Sequence, residues 1–294
     1  MIVTATPGYK HIIREIWRPL AALFVWDVIV TVTYYYVPFT APSLPLTLFG
    51  SALALFLGFR SNSAYQRWWE GRVLWGSMIN ASRNLARQAR NYLPEEAKDL
   101  KRTIVLRQIA YVNALRCQLR RQAPDEEVLR FLSRGEADFA LARTNVANGI
   151  VDGTGRRIEG ARARGWLDSI QQSSMERVLI DIANAQGGME RLKNMPLPSQ
   201  YRFLPTLFAH LLCLLLPIGL VDTLGLATPL GSTIAGVMFL AVLAIGDDLV
   251  DPFANTVHDV PLLAMCRTIE IDLLQAIGDV APVPLKPDAG GVLW

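Results

Sequence analysis

The chain has 294 residues, 51% of them hydrophobic, with a mean hydropathy of +0.26 and a formal net charge of +3. So small a balance excludes a protein that works by neutralising nucleic-acid phosphates, and the hydropathy is high for a water-soluble domain. Cys117, Cys213 and Cys266 are odd in number, far apart and in no metal-ligand spacing, so they read as buried thiols in a reduced compartment.

Residues 1–19, with Lys10, His11, Arg14, Trp17 and Arg18, read as a short amphipathic cytosolic segment leading to a membrane. It is not a secretory signal, because the apolar run that follows is too long and no small-residue cleavage site closes it. Residues 20–37 are the first expected transmembrane helix. About 18 residues rise roughly 27 Å, enough to span hydrocarbon, and Tyr34-Tyr35-Tyr36 closes the run as an interfacial aromatic belt. Asp27 lies mid-span, either as a functional carboxylate facing protein or water or as the partner in a helix–helix hydrogen bond.

A short turn is expected over residues 38–45. Residues 44–59 form the second span, which continues as one helix to about residue 90, since no proline lies between Pro45 and Pro94. Its apolar half carries Gly50, Ala52, Ala54 and Gly58, small residues that permit close lateral assembly. Ser51, Leu55 and Phe59 fall at i, i+4 and i+8, on one helical face. Such faces gathered around an axis would make an apolar constriction that gates by dewetting. Taken alone, the spacing is better explained by ordinary core contacts.

Residues 60–202 form a large polar region, with helical periodicity at 95–121 and 168–192 and a Gly- and Asp-bearing turn expected at 148–157 rather than a phosphate loop. Residues 203–221 are the third span, interrupted by Pro205 and Pro217. A brief loop with Asp222 leads to the fourth, 228–246. The tail, 247–294, opens acidic (Asp247, Asp248, Asp251) and ends in a Pro/Gly-rich stretch expected to be loosely held. Of 29 basic residues, 3 precede the first span, 24 lie between Arg60 and Arg202, and 2 follow the fourth. With four spans all 29 fall on one side, which places both termini and the middle region in the cytoplasm.

The run FLGFRSNSAYQRWWEGRVLWG resembles the bestrophin family at the helix that lines its pore. IGDDLVDPFANTVHDVPL is similar to that family's acidic Asn-Pro-Phe segment after the last span. The resemblance implies an all-α, polytopic homopentamer in a membrane (for a bacterial-type member, the inner membrane). Each subunit would contribute four transmembrane helices and a large helical cytosolic region around one axial pore. It implies a neck at Ser51, Leu55 and Phe59, where Ser51 departs from the usual aliphatic residue, and a second narrowing at the cytosolic exit, placed at Ile170. Animal members bind calcium in an acidic belt. Here Asp248, Asp251, Asn255 and Asp259 remain, but Thr256, Val257 and His258 stand between them. Calcium wants six to eight oxygens, so that site is not expected intact, and no cofactor is expected.

A carboxylate ring at Asp222, with no basic residue in the outer loops, leans toward monovalent cations. The bacterial relatives implied by the resemblance also conduct cations. An anion channel of the same architecture is the alternative. The expected partners are further copies of the chain, membrane lipid and permeant monovalent ions, with no nucleic acid. No nucleophile–base pair or cofactor cradle stands out, so an enzyme is not expected. A transporter with broken helices at Pro205 and Pro217, or a membrane-anchored enzyme, is the reading from another class.

Overall fold

The computed structural model describes residues 1–2, 9–37, 42–124 and 126–294, with the side chains of residues 9–12 and 127 outside the description. The Lys10 and His11 side chains and most of the expected 38–45 turn therefore lie outside the described residues. Ten α-helices follow in order among the described residues: α1 (Tyr9–Tyr36), α2 (Leu46–Tyr92), α3 (Lys98–Leu119), α4 (Glu126–Leu129), α5 (Arg134–Leu141), α6 (Val146–Ala163), α7 (Ser169–Asn194), α8 (Ser199–Leu224), α9 (Thr228–Asp248) and α10 (Leu262–Ala276). Among the described residues the only β-pairing is an isolated antiparallel bridge between Ile2 and Val292. From Tyr9 onward the amphipathic segment and the first span form one helix, α1, and α2 runs 47 residues without interruption.

The chain divides into two compact units. One comprises Ala5–Trp68 and Pro196–Asp251, hence α1, the first half of α2, α8 and α9. Two stretches here are long and apolar enough to cross a membrane: Ile13–Tyr36, and the 50 residues Ser199–Asp248 that hold both α8 and α9. Their shared core includes Leu23, Leu53, Leu57, Leu212, Leu216 and Leu240. Pro205 and Pro217 do not interrupt α8, contrary to the sequence expectation. Neighbouring helices can supply partners where a proline removes one. Trp26 Nε1 donates to the Leu214 carbonyl at 2.9 Å, three residues before Pro217. Gly225, at φ +52°, then turns the chain from α8 into α9, a left-handed backbone that favours glycine.

The other unit contains Met1 and Ile2, Trp69–Met195 and Pro252–Trp294. Its centre is α3, buried along most of its length, with α6, α7 and α10 packed around it. Several polar groups on α3 find specific partners. Tyr111 donates to Gln186 Oε1 (2.8 Å), and Gln108 donates to Ser82 Oγ (2.8 Å). Burial, reinforced by Glu190, pushes the Tyr111 hydroxyl well above its ordinary pKa, so it remains a neutral donor. Buried Arg107 donates to Glu136 Oε1 (2.7 Å), Thr154 Oγ1 (3.0 Å) and the Ile150 carbonyl (2.5 Å), while Arg157 pairs with the same Glu136 oxygen.

Two expectations are corrected in this unit. Residues 148–157 are not a turn but the middle of α6. The Asn145 side chain caps it by accepting from the Asn148 N–H at 2.9 Å, and Ile150, Thr154 and Ile158 bury one face. Gly153 is required because the Arg107 guanidinium occupies the space a Cβ would take. Nor is the tail loosely held. Asp288 accepts from the Gly290 and Val292 N–H groups and from Trp294 Nε1, each at 2.9 Å. The Trp294 carbonyl accepts from the Ala264 N–H (2.7 Å), and Leu293 and Met1 exchange backbone hydrogen bonds.

Candidate pore-lining site

The first half of α2 has two unlike faces. Leu53, Leu57, Arg60 and Ala64 are buried within their unit, at helical spacing. Ser51, Leu55 and Phe59 lie on the exposed side, Leu55 60% and Phe59 58% accessible. The Ser51 hydroxyl donates to the Thr47 carbonyl one turn back (2.7 Å), so its own helix satisfies that proton. The three side chains thus form one unbroken stripe that the chain does not use in its own core.

The remaining candidates are dispersed. Ile170 is 79% exposed in the first turn of α7, where the Asp168 carboxylate accepts from the Ile170 and Gln171 N–H groups at 2.8 and 2.7 Å. Asp222 is exposed near the end of α8, close to the Tyr34 hydroxyl. Asp27 is fully buried and accepts from Ser232 Oγ (3.0 Å) and Thr233 Oγ1 (3.1 Å), the helix–helix alternative foreseen for it.

In the acidic segment, Asp259 is buried and accepts from the Thr256 N–H (2.9 Å) and hydroxyl (2.7 Å). Asn255 sits at φ +71°, and Asp248 and Asp251 are both engaged. Among the described residues no three His, Cys, Asp or Glu side chains converge as a metal site.

Sequence reasoning missed the role of Arg60. It is 2% exposed, and its Nη2 meets Asp247 Oδ1 at 2.5 Å. Arg202 Nε approaches the same oxygen at 3.8 Å. The signal was present: the first cation after the apolar half of α2, and the first acid after the apolar run of α9. Further along, Arg67 Nε donates to the Val250 carbonyl (2.9 Å), and Arg72 Nη1 lies 3.9 Å from Met1 Sδ.

A helical membrane protein, with two apolar stretches long enough to cross a membrane and a 47-residue helix whose first half leaves one face exposed, is the class that fold and site define. A family model described as bacterial/fungal bestrophin protein matches residues 7–275. The chain belongs to that family, one of ion channels and not of enzymes. It is 36% identical over 244 residues to a voltage-dependent anion channel-forming protein of Mesorhizobium japonicum, covering 83% of this chain and 78% of that one. It is 36% identical over 242 residues to the voltage-dependent anion channel-forming protein YneE of Escherichia coli, covering 82% and 79%. The crystal structure of a bacterial bestrophin homologue from Klebsiella pneumoniae superposes with a TM-score of 0.86 at 35% identity, covering 90% of this chain and 99% of that one. The names of these relatives run against the cation preference expected from the outer loops.

Proposed function

We propose that this chain is one subunit of a pentameric membrane channel for monovalent ions, with α2 lining the axial pore and Ser51, Leu55 and Phe59 as its neck. The observation that carries this is the division of α2: the opposite face is committed to the subunit core, and this stripe is left free. An apolar stripe needs an apolar or self-complementary neighbour, and a ring of copies supplies one.

Four spans at 20–37, 44–59, 203–221 and 228–246 complete the topology, with 60–202 and both termini cytoplasmic. Residues 46–59 rise only about 21 Å, short of the hydrocarbon thickness unless the flanking turns contribute. Support for the shared side comes from Met1, the middle region and the tail belonging to one compact unit. The placement of all 29 basic residues on a single side agrees with it. Ile170, projecting from the first turn of α7, is assigned to the cytosolic narrowing. No calcium gating of the animal kind is proposed, because Asp259 already accepts two hydrogen bonds from Thr256.

Anions are the first choice of permeant ion, on the names of the relatives. Cations are the second, on exposed Asp222 and the absence of Lys or Arg between Arg18 and Arg60 and between Arg202 and Arg267. Purified protein reconstituted in planar bilayers tests both. Single-channel events should grow in conductance or open time in Leu55→Ser and Phe59→Ser, and the detergent-solubilised mass should equal five chains. Monomers, or conductance indifferent to both substitutions, would sink the proposal. In asymmetric salt, a reversal potential near the chloride equilibrium potential selects anions, and one of opposite sign selects cations.

A further inference from the structure

We propose that the seam between α2 and α8 is a binding site for an anionic phospholipid, with Arg60 holding its phosphate. This rests on the reading above that both helices span the membrane. The seam carries two clefts that share Phe56. The first, about 350 Å³, is walled by apolar side chains such as Phe49, Leu53, Phe208 and Leu211. The second, about 500 Å³, has Phe56, Phe59 and Leu204 at one end and Arg60, Ser63, Gln200 and Tyr201 at the other. Apolar volume running into a polar, cationic end is the shape of an acyl chain joined to a headgroup. The Phe56 and Phe208 rings, 6.1 Å apart, line the first cleft, and Phe56 lines the second as well.

The guanidinium supplies the second observation. Arg60 is 2% exposed and lines the cleft, yet among the described residues its Nε and Nη1 have no hydrogen-bond partner, and Nη2 is used on Asp247. Buried donors on a charged group demand acceptors, and leaving them bare is costly. One phosphate oxygen at Nη1 supplies an acceptor by a single charge-assisted bond; Nε and Nη1 lie on either side of Cδ and share no bidentate edge. A second copy of the chain is a poorer occupant. The exposed stripe of α2 at this level, Leu55, Phe59 and Asn62, offers one neutral amide and no carboxylate, and Asp247 is already paired. Arg60 and Arg202 also mark the basic side of the spans, where anionic lipid is drawn to cationic side chains.

Native mass spectrometry of the full-length assembly, with phosphatidylglycerol and phosphatidylcholine of identical acyl chains, tests this. The wild type should retain phosphatidylglycerol about tenfold better, the ratio one charge-assisted hydrogen bond supports. The preference should vanish in Arg60→Gln, and also in Leu204→Trp, which fills the cleft and leaves the charge in place. Arg60→Lys should keep part of it, which covers the case in which Arg60→Gln does not fold. Equal retention by the wild type, or a preference surviving Leu204→Trp, overturns the site. Oligomer mass and bilayer currents from the same preparations report on the channel reading separately.

Discussion

Helices α3 and α8 are of similar length and stand for two opposite ways of using apolar residues. Of the 22 residues of α3, 15 are buried, among them Lys101, Arg107, Gln108, Asn113 and Arg116. Of the 26 residues of α8, far more apolar in composition, only 7 are buried, and Phe203, Leu204, Leu207, Phe208, Leu211 and Leu214 all face outward. Water drives α3 inside, where Arg107, Gln108 and Tyr111 find side-chain partners. On the reading that α8 spans the membrane, lipid is as apolar as leucine and nothing drives the helix to cover itself. Its contacts come from packing small and flat residues closely. The same chain therefore stores its stability in matched polar networks in one unit and in shape in the other.

Substitutions can break or sharpen that contrast. The largest effect is expected from Glu136→Ala, which strips the shared counterion from Arg107 and Arg157. A loss of about 3–5 kcal/mol is expected, read as a fall in the thermal midpoint of the assembled protein in detergent. Acid should do the same more gently. Burial raises the Glu136 pKa, but Ser133, Arg157 and Arg107 outweigh it and hold the carboxyl below its ordinary value near 4.5. Its contribution is complete above that ordinary value and is lost as pH falls through the lowered folded value. The wild type should lose more of its thermal midpoint between pH 5 and strongly acidic conditions than Glu136→Gln does.

In the other unit the effects should be smaller. Leu53→Ala opens a cavity worth about 2 kcal/mol, the low end for such a change because lipid replaces water as the alternative. Asp27→Leu leaves the Ser232 and Thr233 hydroxyls without their acceptor and should cost about 1 kcal/mol. Leu55→Ala, two residues from Leu53 and on the opposite face, should change the midpoint by less than about 0.5 kcal/mol equivalent while altering conductance. Equal stability losses at Leu53 and Leu55 would show that the two faces of α2 are not different in kind.

The helical character, the apolar runs and the Ser51, Leu55 and Phe59 stripe were legible because each depends on spacing within a single helix. What escaped depends on distant residues. Gly149, Gly153 and Gly155 read as a turn from their neighbours alone; the Arg107 side chain that makes Gly153 necessary lies 46 positions earlier in the chain. The Arg60–Asp247 pair joins residues 187 apart. The tail seemed loose because its Pro and Gly content was weighed without Asp288, whose carboxylate gathers three donors within six residues.

The reciprocal backbone hydrogen bonds of Met1 with Leu293, and the bridge from Ile2 to Val292, bear on the order of assembly. These partners lie up to 292 positions apart in sequence, so the seam they form waits until residues 292 and 293 have been made and brought back to Met1 and Ile2. Of all the contacts in that unit, such a stitch closes the longest loop of chain and is among the slowest to form.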